Sequence, residues 1–81
     1  MTNTEPWAVS IEDGKFRFTN ATNERAVMVT LQGVGSDLDD AVPAPVGPGE
    51  SFDVKLRDGA GVRINWSTTP PMRHHTWVYT R

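Results

Sequence analysis

The chain has 81 residues, a formal charge of −2, three Trp, three Phe, one Tyr and no cysteine. That length allows one domain with one core, and a domain this small buries only ~60% of its unfolded surface, so a few large side chains must carry it. The absence of cysteine excludes a disulfide framework, a thiolate metal site and a cysteine nucleophile, and the slightly acidic balance gives no general attraction to nucleic acid or to an anionic membrane.

Residues 1–5 are polar and expected to fray. The segment Met1 to Pro6 has no basic stretch followed by an apolar run, and no apolar run reaches membrane-spanning length. The expectation is a cytoplasmic protein, 1–81 forming a single all-β domain. Pro6 lacks a donor and suits the start of an edge strand. Trp7, Val9 and Ile11 then alternate with Ala8 and Ser10, which predicts a first strand buried on one face. Asp13-Gly14 is a strong signal for a two-residue hairpin turn. That turn pairs Glu12 with Lys15, Ile11 with Phe16 and Val9 with Phe18, so apolar meets apolar and charge meets counter-charge.

The second strand is Lys15 to Thr19, followed by a turn-rich polar run, Asn20 to Arg25. The third is Ala26 to Gln32, with Val27, Val29 and Leu31 on one face and Ala26, Met28 and Thr30 on the other. Residues 7–32 therefore read as a three-stranded meander. Gly33 to Glu50 is a long Gly/Pro-rich connection, with four glycines and three prolines in eighteen residues. A structureless loop of that length is uncommon in a compact domain. Two elements are expected inside it. One is a single helical turn capped by Ser36, with Asp37 to Asp40 near its positive end. The other is a short edge strand, Val42 to Val46, whose Pro43 and Pro45 block edge-to-edge association.

Ser51 to Ser67 reads as a β-hairpin. Phe52, Val54 and Leu56 alternate with polar residues, as do Val62, Ile64 and Trp66 after Asp58-Gly59-Ala60. Pairing Leu56 with Val62, Val54 with Ile64 and Phe52 with Trp66 keeps every apolar residue on one face. Thr68 to Pro71 ends that strand, and a last strand runs from about His74 to Thr80 with Trp77 and Tyr79 inward.

The count is six to seven strands. Two groups of strands joined by a crossing segment predict a small antiparallel β-sandwich. A small barrel of the oligonucleotide-binding-fold kind is the alternative. The general run of strands, with Val46-Gly47-Pro48-Gly49-Glu50-Ser51 leading into a strand, resembles small immunoglobulin-like sandwiches. The resemblance implies a fold and no activity. The disulfide of antibody-type domains is absent.

Chemistry-bearing residues are sparse. Met72, His74 and His75 form one cluster with metal-ligand character, since imidazole suits copper, zinc and nickel and thioether suits copper(I). On an extended segment Met72 and His74 share a face and His75 points the other way, so a third ligand must come from elsewhere, such as Asp37, Asp39, Asp40 or Met28. The competing expectation is that His74 is surface and His75 packs beside Trp77 at the rim of the core. Asp37, Asp39 and Asp40 lack the ligand spacing of a calcium loop.

The hairpin register sets Lys55 opposite Arg63, with Arg57 near, a basic group that a bound anion or a partner carboxylate would relieve. Lys15-Phe16-Arg17-Phe18 has the basic-aromatic weave of single-strand nucleic-acid binders. Its rings fall on the core face, however, and the net charge is acidic, so no nucleic-acid partner is expected. No G-x-S-x-G, P-loop or H-E-x-x-H pattern is present, and the chain reads as a non-enzyme. Two sequons, at Asn20 and Asn65, read as chance in a chain without a signal peptide.

The functional expectation is a non-catalytic protein-binding or accessory module with no cofactor. It acts through an edge strand, which also allows a homodimer, or through the 33–50 segment presenting Leu38, Val42 and Val46. The alternative is a small metal-binding protein using Met72, His74 and His75.

Overall fold

The computed structural model describes residues 5–56 and 59–80. It is all-β, with seven strands: β1 (Trp7–Glu12), β2 (Lys15–Asn20), β3 (Val27–Val34), β4 (Asp39–Ala41), β5 (Ser51–Val54), β6 (Gly61–Thr68) and β7 (Arg73–Tyr79). They form two antiparallel sheets, a three-stranded one in the order β1-β2-β5 and a four-stranded one in the order β4-β3-β6-β7. The two sheets are separate, so the architecture is a sandwich and not the alternative barrel.

The first hairpin forms in the expected register, with Glu12 opposite Lys15, Ile11 opposite Phe16 and Val9 opposite Phe18. Asp13 at φ 51 and Gly14 at φ 76 are both left-handed, as a type I′ turn requires. Ile11 lies on the inward side but at the end of an edge strand, and it remains 59% exposed.

Two expected pairings are overturned. Residues 51–67 are not a hairpin: β5 pairs with β2, Phe52 facing Phe18 and Val54 facing Phe16, whereas β6 pairs with β3 and β7. The chain crosses from one sheet to the other between them. Nor is 7–32 a meander, because β3 belongs to the opposite sheet. Both errors have one cause. Alternation says which face of a strand is apolar and not which strand lies beside it. Charge accords with the observed pairing. In the hairpin Lys55 would face Arg63; in the observed pairing Asp53 faces Arg17, whose Nε donates to Asp53 Oδ1 at 3.0 Å. Arg17 also pairs with Glu12 at 3.0 Å.

The 33–50 segment holds an edge strand, but not the expected elements. There is no helical turn after Ser36. Asp39–Ala41 is β4, lying against Thr30 to Gln32. Val42 to Val46 is not a strand; Val46 makes one isolated bridge with Ala26. In β3, Val27 faces Ser67 and Thr30 faces Asn65, so one extra residue is accommodated there as a β-bulge. The bulge resets the alternation, which is why both Ala26 and Val29 are buried. Met28, within it, has φ 51 and is 59% exposed.

The core lies between the sheets and is aromatic. Phe18 is fully buried, with its ring 5.6 Å from Phe52, 5.7 Å from Tyr79 and 6.3 Å from Trp77. Trp7 meets Trp66 across the sandwich at 5.4 Å. The Trp7 Nε1–H is buried with no partner among the described residues. One end of the sandwich is tied by Asn20, which is 3% exposed. Its Nδ2 donates to the carbonyls of Glu24 and Val46, both at 2.8 Å, and its Oδ1 accepts from the Thr22 amide and hydroxyl. The Asn20 sequon is therefore structural, because its amide nitrogen is already occupied.

Replacing Asn20 with Ala removes its bonds to the Glu24 and Val46 carbonyls and to Thr22, while the Val46 carbonyl keeps the Ala26 amide as a donor; losing this set costs about 1–3 kcal/mol. Urea unfolding of Asn20→Ala is expected to show a lower midpoint with an unchanged slope, and Asn65→Ala, which loses one exposed bond to Thr76, a much smaller shift. The Arg17 hydrogen bond is the main cause holding Asp53 below the usual carboxylate range. Its contribution is thus present above the ordinary carboxylate pKa of about 3.9 and fades as pH falls through the lower folded value. The difference in urea midpoint between wild type and Asp53→Asn is expected to be small, because the pair is exposed, and to vanish with acidification below that value. A difference that grows with acid contradicts the assignment.

Candidate functional site

Chemistry-bearing side chains converge on β7, the outer strand of the four-stranded sheet. Period-two alternation turns His75, Trp77 and Tyr79 toward the core and leaves His74, Thr76 and Val78 outside, as the sequence predicts. Each histidine is held by a hydroxyl of β6. His74 Nδ1 lies 2.8 Å from Ser67 Oγ, and His75 Nε2 lies 2.9 Å from Thr68 Oγ1. The His75 ring also stacks on Trp66, with centroids 5.3 Å apart. The two imidazoles face opposite sides of one sheet and cannot close on one ion.

The ladder phase shows which backbone groups of β7 are open. A side-chain carbon on Gly61 would collide with the Tyr79 carbonyl oxygen, so that oxygen points at β6. In an antiparallel pair the N–H and C=O of a residue point to the same side, and successive residues alternate. His75, Trp77 and Tyr79 therefore bond to β6, and the backbone groups of His74, Thr76 and Val78 point away from it.

Two depressions flank the strand. On its inner side, at the mouth of the sandwich, a cleft of about 360 Å³ is lined by Pro6, Trp66, His75 and Trp77, with Thr22 and Glu24 on the opposing wall. Glu5 borders it, accepting a hydrogen bond from Trp77 Nε1 at 2.6 Å. A second depression of about 340 Å³ is lined on the outer face by Met28, Asn65, Ser67, His74 and Thr76, and is bordered by Trp66 and His75.

The other expected site residues are dispersed. Val46 is 3% exposed and belongs to the core, and Leu38 and Val42 pack against it, half-buried. Lys55 follows β5, whereas Arg63 lies in β6 of the other sheet, so the expected basic pair does not form. Arg57 lies outside the described residues. Met72 is 55% exposed in the turn before β7. Asp39 and Asp40 are exposed in β4, and Asp40 Oδ1 accepts from the Ala41 amide at 2.8 Å. Among the described residues no three His, Cys, Asp or Glu side chains come together as a metal site. Phe16 and Phe18 are core residues, which leaves no stacking platform on β2.

The cleft and the bulge were not legible in the sequence. The cleft draws Pro6, Trp66 and Trp77 from three distant segments, which no local pattern brings together. The bulge has no sequence mark, since Met28 carries no preference for positive φ. Among the described residues no helix is long and apolar enough to cross a membrane. Comparison of the chain with protein-family models, with curated proteins and with solved structures returns no match.

Proposed function

We propose that the protein is a non-catalytic binding module that accepts an extended segment of a partner protein along β7, with one apolar side chain of that segment seated in the Trp66–Trp77 cleft. The observation that carries this reading is an open edge of seven residues with an aromatic cleft alongside it. Strand addition draws affinity from main-chain hydrogen bonds and specificity from pockets for alternate side chains. The other edges are guarded in the ways that suppress pairing. β4 has three residues and two aspartates, β5 has four residues, and β1 is preceded by Pro6. β7 has seven and no proline. Glu5 and Glu24 beside the cleft favour a Lys or Arg next to the seated apolar residue.

The 36–46 segment is a weaker route to a partner, because β4 and Val46 are built into the fold. The strand orders support an immunoglobulin-like description, with β1-β2-β5 standing for one sheet and β4-β3-β6-β7 for the other. The cysteine-free composition accords with a reducing compartment such as the cytoplasm.

The test is selection of random displayed peptides against the folded protein. Enriched peptides are expected to combine an apolar residue with a neighbouring Lys or Arg. Thr76→Pro removes one outward N–H at an edge position where proline is tolerated, and is expected to weaken those peptides about tenfold, the equivalent of about 1.4 kcal/mol. Glu24→Lys, which leaves the strand untouched, is expected to weaken the basic ones. Peptides that bind both variants as well as wild type, or that perturb amide resonances away from β7, overturn the reading.

A further inference from the structure

The outer face of the same sheet carries a second feature. Methionine is ordinarily buried, yet Met28 and Met72 are 59% and 55% exposed. Met28 is also held at φ 51 by the bulge in β3. A bulky residue rarely adopts that conformation, and bulges re-aim side chains beside functional sites. Here Met28 shares one depression with His74. The Ser67 hydroxyl, 2.8 Å from His74 Nδ1, orients that ring. In the tautomer whose Nδ1–H donates to Ser67 Oγ, Nε2 keeps its lone pair, the arrangement found in histidine ligands held by a second partner.

We propose that Met28 and His74, joined by the flexible side chain of Met72 from the turn before β7, form a surface site for copper(I). Thioether sulfur with imidazole is a soft, uncharged donor set that suits a monovalent soft ion. Zinc and calcium favour additional thiolate, imidazole or carboxylate ligands, and no group of three such side chains forms among the described residues. His75 takes no part, since its Nε2 faces Thr68 and its ring lies on Trp66 on the other side of the sheet. The site shares β7 with the proposed peptide edge, and Trp66, His75 and Thr76 border both depressions.

The experiment titrates copper(I) into the full chain under reducing, oxygen-free conditions in competition with a chromophoric copper(I) chelator. One equivalent per chain is expected, with the His74 ring resonances and the Met28 and Met72 methyl resonances shifting while the His75 ring does not. Met28→Leu and His74→Ala are each expected to weaken binding at least tenfold, with circular dichroism unchanged, and Met72→Leu by a smaller factor. Zinc(II) alone is expected to bind at least tenfold more weakly. Failure to withdraw copper from the chelator, unchanged affinity in both Met28→Leu and His74→Ala, or zinc binding equal to copper overturns the proposal.

Discussion

The fold depends on the ring of Phe18 being closed over from both sheets. Phe52 covers it from the neighbouring strand, and Trp77 and Tyr79 cover it from across the sandwich. A domain of this length has little apolar area to spare, so its inward aromatic stripes must meet face to face. That requirement places β5 against β2. In a flat hairpin with β6, Phe52 and Trp66 would share one sheet and leave Phe18 without its lateral cover. The aromatic pairs add geometry-dependent attraction to simple burial, and edge-to-face contacts such as Trp7 on Trp66 also fix how the sheets sit.

Such a sandwich has two weak points, its ends and its edges. One end is closed by Asn20, whose side chain ties the 20–26 turn to the Val46 carbonyl. The backbone of the same residue bonds to Glu50 and Gly49. A single residue thus joins two connections, 21–26 and 42–50. At the edges the chain is uneven. Three of the outer strands are short or begin directly after a proline, and β7 is neither. Its outward amides and carbonyls, the cleft on one side and the Met28 depression on the other all lie within a few residues of His74 and His75. The neighbouring histidines belong to different features because a strand sends successive side chains to opposite faces.

The Met72–His75 stretch shows how far linear reasoning reaches. Alternation alone separates His74 from His75, and the structure agrees. Which distant residue lies beside His74 is harder to find, and Met28 is one of four candidates. Met28 is 44 positions before Met72 in the chain, and it lines one depression with His74 because β3 lies next to β6 and the bulge lies at Met28. The basic pair failed for the same reason in reverse. Lys55 and Arg63 are close in sequence and stand in different sheets.

What the sequence by itself determined is local. It set the alternation of each strand, the Asp13-Gly14 turn, the inward face of every aromatic residue and the all-β class, because these follow from backbone geometry and from side chains within a few positions. What only the tertiary structure decided is adjacency. Which strand lies beside which, where the chain crosses between sheets, which edge is left open and which distant residues line the cleft all depend on burying two apolar stripes against each other. That energy is a property of the whole chain. The one trace of it in the sequence was electrostatic: Asp53 finds a counter-charge in Arg17 and Lys55 finds none in Arg63, and opposed charges on neighbouring strands are stabilising only when their signs differ.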